Sequence, residues 1–233
     1  MLGTAASLPA AEEARAATAA PAKADAQPDD KAGRSLFDGK SLEGWKVVDF
    51  AGAGDVAVED GVLRIGMGQP MTGIAWTGGE LPKSNYELTF EAQRVDGSDF
   101  FVGLTFPIQE SPCTLILGGW GGGLTGFSSI DGFDASENET TSFMQVEPQR
   151  WYKVRLKVTD ARAEAYVDGK RIAGFDHRGR KVGVRIEVER NRPLGFSTFQ
   201  TVGGLKDIRL RELTETERAE AIAEADRIKQ ESE

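Results

Sequence analysis

Along residues 152–158 apolar and charged side chains alternate without a break: Tyr152, Val154, Leu156 and Val158 fall on one side, Lys153, Arg155 and Lys157 on the other. A period of two is the spacing of a strand with one face buried and one in water. The next segment sets Ala163, Ala165 and Val167 against Arg162, Glu164 and Tyr166, and Asp168-Gly169 then supplies the positive φ angles of a tight hairpin before Ile172 and Phe175. The same alternation recurs at Tyr86, Leu88, Phe90 and Ala92, at Phe100, Val102, Leu104 and Phe106, and at Val182, Val184, Ile186 and Val188. A hairpin is expected around Glu59-Asp60-Gly61, and further strands over 194–199 and 206–213. Many short strands joined by glycine-rich turns, with no helices between them, predict an all-β chain of two stacked antiparallel sheets.

The ends read differently. Residues 1–33 are rich in alanine, broken by Pro9, Pro21 and Pro28, and hold almost no large apolar residue, which predicts a flexible leader or linker. Its first ten residues resemble the tail of a secretory signal, lacking the basic start and full apolar run, so an exported protein (periplasmic, cell-surface or extracellular) is expected. An ordinary low-complexity tail on a cytoplasmic protein is the alternative. Residues 34–213 form the sandwich. In 214–233 the period changes: Thr214 and Glu217 make a capping box, and Ile222, Ala225 and Ile228 follow at helical spacing, a short acidic helix whose thin apolar stripe predicts weak docking.

Composition removes several classes of function. A formal charge of −9 and an isoelectric point near 4.9 leave no general attraction for nucleic acid or anionic membranes. No stretch is long and apolar enough to span a bilayer. Cys113, the only cysteine, is expected as a buried structural thiol, and His177, the only histidine, as a surface-loop residue in the basic turn Asp176-His177-Arg178-Gly179-Arg180.

Several segments together resemble a known family. Ser35-Leu36-Phe37-Asp38-Gly39-Lys40-Ser41-Leu42-Glu43-Gly44-Trp45 is similar to the opening of the 3-keto-disaccharide hydrolase domains. Val58-Glu59-Asp60-Gly61-Val62-Leu63, Asn85-Tyr86-Glu87-Leu88-Thr89-Phe90-Glu91, Arg150-Trp151-Tyr152, Tyr166-Val167-Asp168-Gly169-Lys170-Arg171-Ile172 and Leu205-Lys206-Asp207-Ile208-Arg209-Leu210 follow in that family's order, over roughly 35–213. The resemblance implies a concanavalin A-like, laminin G-like jelly-roll sandwich that cleaves the glycosidic bond of a sugar oxidised to a ketone at carbon three. The ketone acidifies the neighbouring carbon-bound hydrogen, so a carboxylate base suffices if the enolate oxygen is stabilised. In one respect the chain departs from the family: where a central strand usually carries Glu-x-Gln-x-x-Asp, it has Cys113-Thr114-Leu115-Ile116-Leu117-Gly118.

The richest candidate site is the glycine-flanked Trp120, with Gly119 and Gly121 admitting a close ligand, the indole stacking on a sugar, and Asn138 as a further binding residue. Asp131, Asp134, Glu137 and Glu139 follow in one loop and are candidate catalytic acids, since two carboxylates in one pocket raise the pKa of one. They are equally the ordinary charges of a solvated loop. The same oxygens allow a structural Ca2+, although their spacing fits no EF-hand; no other cofactor is expected. Arg185 and Glu187, alternating with buried Val184, Ile186 and Val188, form a second candidate if their strand lies beside Glu87, Glu91 and Gln93 in one groove, with Arg185 stabilising an oxyanion. The expected partner is an oligosaccharide or keto-sugar, and the competing readings are a non-catalytic sugar-binding or adhesion module and a structural envelope protein.

Overall fold

A computed structural model describes Met1 and residues 33–231; the expectation for the leader falls almost wholly outside them. In chain order the strands are β1 (Arg34–Ser35), β2 (Trp45–Val47), β3 (Val56–Glu59), β4 (Val62–Ile65) and β5 (Met71–Trp76). Next come β6 (Tyr86–Gly97), β7 (Val102–Ile108), β8 (Ser111–Gly119), β9 (Leu124–Ser128) and β10 (Ser142–Phe143). After β11 (Tyr152–Val158), β12 (Arg162–Val167) and β13 (Lys170–Asp176), a 3₁₀ helix (Ile186–Asn191) precedes β14 (Gly195–Phe199), β15 (Thr201–Glu212) and α1 (Glu215–Glu231). One sheet runs β13-β12-β11-β6-β15-β4-β3 with β1 added on β15, and the other runs β10-β9-β8-β7-β14-β5-β2. Every pairing of neighbours among these described strands is antiparallel, as the alternation predicts.

The two sheets close on the side chains that the period of two points inward. Tyr86, Leu88, Phe90, Tyr152, Val154 and Leu156 from one sheet meet Leu104, Phe106, Leu115, Leu117, Phe127 and Phe196 from the other in a single core. Phe90 lies edge-on to Phe196 across the core at 5.0 Å, and within the seven-stranded sheet Trp45 lies 5.7 Å from Phe196 and 5.1 Å from Trp76. The opening motif has a physical reason in this core. Asp38 accepts the backbone N–H groups of Lys40 and Ser41, both at 2.8 Å, and so turns the chain. Gly44 carries it past Trp76, whose ring a Cβ would meet at 2.8 Å, and buried Trp45 then donates its indole N–H to the Leu36 carbonyl at 2.7 Å. The hairpins at Asp60-Gly61 and Asp168-Gly169 both take paired positive φ angles, 50° with 80° and 49° with 80°.

Two expectations are corrected. Residues 182–188 do not form a strand. Val182 makes one bridge to Ile130, Ser129 and Gly183 exchange backbone hydrogen bonds, and the chain then winds into the 3₁₀ helix. Its period is three, so Val188 and Asn191 are buried on one side while Ile186 is 87% exposed. His177 is buried rather than on the surface: its Nε2 donates to the Thr159 carbonyl at 2.9 Å and its ring meets Phe175 edge-on. The helix α1 buries Ala225 of the expected stripe together with Ala221, leaves Ile222 38% exposed, and is tied down by the pairs Arg211–Glu217 and Arg178–Asp226. Cys113 is buried as expected, and desolvation pushes its thiol pKa upward.

Hydrogen bonds from Arg211 first, and then from the Thr214 N–H, hold the Glu217 carboxyl at about 2, below its ordinary 4.5. A depressed carboxyl stabilises the folded chain fully above its ordinary pKa and stops doing so as pH falls toward the depressed one. The docking of α1 is therefore expected to weaken between pH 4.5 and about 2. Acid titration followed by helical circular dichroism should show that transition in the native chain and lose it in Glu217→Gln.

Candidate functional site

Outward-facing residues of the seven-stranded sheet form the floor of the site. Along β8, Cys113, Leu115 and Leu117 point into the core, so Thr114 and Ile116 point the other way. Across from them stand Ser128 on β9 and Thr105 on β7, both opposite Thr114. Met71 on β5 faces Phe199 on β14, and Phe100 lies 5.6 Å from Phe199. Gly103 lets the Phe100 ring lie on the sheet, since a Cβ there would come within 2.9 Å of it.

Trp120 stands at the turn between β8 and β9, held from both sides. Buried Arg94, on β6 of the opposite sheet, donates through Nη2 to the carbonyls of Gly118 at 3.1 Å and Gly122 at 2.7 Å. Its guanidinium lies 5.6 Å from the Phe101 ring, and desolvation lowers its pKa. From the other side Asp99 accepts the Gly121 N–H at 3.2 Å and the Phe100 N–H at 2.7 Å. Gly118 takes φ +75°, and a Cβ there would lie 2.6 Å from the Arg94 Nη2, so the turn and its latch require one another. Trp120 itself has φ +48° and is 47% exposed.

Arginines from far along the chain occupy the acidic loop. Arg180 joins Asp131 and Glu139, and Asp131 also accepts the Lys181 N–H at 2.8 Å. The Lys181 N–H first, then Arg180, lowers the pKa of Asp131, and Arg180 lowers that of Glu139. Asp134 caps Ser136, accepting its hydroxyl at 2.6 Å, and accepts Arg185 Nη1 at 2.8 Å. Asn138 clasps the loop: its amide donates to the carbonyls of Phe127 at 2.8 Å and Asp134 at 2.7 Å, and its Oδ1 accepts the Thr140 hydroxyl at 2.6 Å. Only Glu137 is exposed with no hydrogen bond to its carboxylate from the described residues. The oxygens considered for a cation are thus largely bound to guanidinium groups, and among the described residues no group of three or more His, Cys, Asp or Glu is placed to hold a metal ion.

Between the Trp120 turn, the floor and the start of the 3₁₀ helix lies a cleft of about 280 Å³. It is lined by Met71, Asp99, Phe100, Thr114, Ile116, Trp120, Ser128, Arg185, Glu187, Val188 and Phe199. Of the residues expected from the sequence, Trp120, Arg185 and Glu187 meet here. Asp131, Glu137 and Glu139 are outside the lining, Asp134 reaches it only through Arg185, Gly121 serves the Asp99 clamp, and Gly119 packs against Ile116. The groove expected between Arg185 and Glu87, Glu91 and Gln93 does not exist, because those three lie on β6 in the other sheet, where Glu87 binds Arg155 and Arg211. Arg185 grips Glu187 at 2.9 Å, and its hydrogen bonds lower the Glu187 pKa. Ser128 is buried and its Oγ has no hydrogen-bond partner among the described residues.

Residues 32–213 match the family described as the 3-keto-alpha-glucoside-1,2-lyase-like domain. The chain belongs to this family. No curated protein matches it. Among solved structures, a Bacillus subtilis protein of unknown function with a galectin-like fold aligns at TM-score 0.53 and 11% identity, over 77% of this chain and 96% of its own. A sialidase aligns at TM-score 0.54 and 13% identity over 78% of this chain, which spans only 18% of the sialidase. A structure reported with endo-acting O-glycanases that gut bacteria use to initiate mucin breakdown aligns at 0.50 and 14%, over 78% of this chain and 100% of its own. Identities this low define the fold alone, a sandwich of the galectin-like kind, and the lyase-like family match makes it carbohydrate-related. No helix among the described residues is long and apolar enough to cross a membrane.

Sequence reasoning missed Asp99, Phe100, Ser128 and Phe199 as parts of the site. On the sequence, the strand that carries Thr114 and Ile116 stands out only as lacking the family's acids, not as the floor of a cleft. The Arg94 latch yields a test. Arg94→Met leaves the buried Gly118 carbonyl and the part-buried Gly122 carbonyl without this donor, the buried one at a cost of about 1–3 kcal/mol. The Gly121 and Gly122 amides should then exchange with solvent at least ~10-fold faster, with core amides of β7 much less affected.

Proposed function

We propose that the cleft binds a 3-keto-sugar glycoside and breaks its glycosidic bond by elimination, with Glu187 as the base and Arg185 as the electrophilic partner. The observation that carries this reading is their placement beside Trp120 in one cleft, in a lyase-like family. Glu187 would take the proton from carbon two, the electron pair would pass toward the carbon-three oxygen, and its return would expel the oxygen on carbon one. The departing oxygen takes up a proton, and addition of water to the new double bond completes a net hydrolysis. A guanidinium carries five N–H donors and Arg185 uses three of them on Glu187 and Asp134, so two remain for the enolate oxygen. Asp99 and the hydroxyls of Thr114 and Ser128 supply acceptors and donors for sugar hydroxyls, and Trp120 a flat apolar platform.

A second reading, a sugar-binding module without turnover, draws on the floor itself. Thr114 and Ile116 face the cleft from the strand on which the family resemblance leads one to expect acids. Turnover separates the two. With a 3-keto-disaccharide and its unoxidised parent, the proposal expects cleavage of the keto form alone and a loss of about 10²–10⁴-fold in Glu187→Gln. An undiminished rate in that variant removes Glu187 from the reaction, and binding without cleavage supports the module.

The depressed Glu187 pKa adds a pH signature. A base held below the ordinary 4.5 remains ionised as the medium is acidified, so kcat/KM should stay level from about pH 7 to about 5 and decline only below 4.5. In Arg185→Met the loss of the neighbouring positive charge should raise the midpoint of that decline and lower kcat.

A further inference from the structure

The cleft changes character along the sheet. In the order β9-β8-β7-β14-β5, its first end presents Ser128 and Thr114, near the Ser129–Gly183 backbone pair that brings in Arg185. The other end presents Phe199 facing Met71 across β14 and β5, with the Phe100 ring tilted against Phe199 at 5.6 Å. The 3₁₀ helix packs on these same two strands and contributes buried Val188 to the lining. Past β5 lie Phe50, which approaches Gly73, and the exposed Ile186, bordered by the charged Asp49, Glu187 and Arg190.

A glycoside laid along this axis has unequal needs at its two ends. The keto-sugar needs donors, acceptors and a base, which are found at the β9–β8 end and on Arg185 and Glu187. A second pyranose over β14 and β5 would press its hydroxyls onto Met71, Phe100, Val188 and Phe199, whose side chains offer no strong hydrogen-bonding group. Each hydroxyl that loses water there without gaining a partner costs roughly tenfold in affinity. An aromatic ring has no such requirement, and it can stack against Phe100 and Phe199.

We infer, resting on the function proposed above, that the β14–β5 end is a leaving-group subsite for an aromatic aglycone, so that the preferred substrate is an aryl 3-keto-glycoside rather than a 3-keto-disaccharide. The test is calorimetric titration of Glu187→Gln, which stops turnover while leaving the apolar wall intact, with phenyl 3-keto-glucoside and with a 3-keto-disaccharide. The aryl compound should bind at least ~10-fold more tightly, and Phe199→Ser introduced into that variant should erase most of the difference. Equal affinity, tighter binding of the disaccharide, or binding of neither overturns the inference. The native chain, assayed in parallel for cleavage of both compounds, keeps the two proposals apart. Disaccharide cleavage with no aryl preference sinks the subsite and leaves the eliminating function standing, whereas aryl preference without any cleavage sinks the catalysis and leaves the subsite.

Discussion

The cleft exists because two arginines tie the segment after β13 to the loop after β9. Arg180 holds Asp131 and Glu139, and Arg185 holds Asp134 while turning back onto Glu187. Those pairs are partly exposed, and each alone contributes little to stability. Their effect is geometric, because four carboxylates and two guanidinium groups fix the path by which 181–191 crosses the outer face of the seven-stranded sheet. That crossing turns an open sheet face into a narrow cleft and brings Glu187 and Val188 over the floor.

Opposite this roof the Trp120 turn is set by a different kind of bond. Arg94 reaches from one sheet to the carbonyls that bracket a turn in the other, so the platform is referenced to both layers of the sandwich. A buried cation with good acceptors is costly to displace. Asp99 then ties the same turn to the start of β7 and its neighbour Phe100 to the wall. The platform and the wall therefore share Asp99 while the base stands on the separate arginine pairs, which suits a site that must hold one sugar face, one leaving group and one carbon-bound hydrogen in fixed relation.

Much of the fold was legible in the sequence because its signals are local. Alternation along β11, β12 and β6, and the Asp-Gly turns at 60–61 and 168–169, depend on neighbours a few residues away. The failures share the opposite property. Residues 182–188 satisfy a strand pattern, yet the native pairing there ends at Gly183, and the 3₁₀ helix that follows packs on β5 and β14, far away in sequence. His177 reads as a surface residue because its neighbours are charged, but the acceptor that draws it inward is the Thr159 carbonyl, 18 residues earlier. The acids of 131–139 were visible as a cluster; the arginines that pair with Asp131, Asp134 and Glu139, 41 to 51 residues on, were not visible as their partners. Asp99 had no local mark at all beyond following a glycine turn.

The central claim is that this cleft, and not the ion-paired face of the other sheet, is where sugar chemistry takes place. Its most direct test is a crystal structure of Glu187→Gln soaked with a 3-keto-glycoside. The account predicts the sugar against Trp120, with carbon two about 3–3.5 Å from the residue-187 side chain and the ketone oxygen facing Arg185. Ligand density confined to the face that carries Glu87, Arg155 and Arg211, with the Trp120 cleft empty, would contradict it.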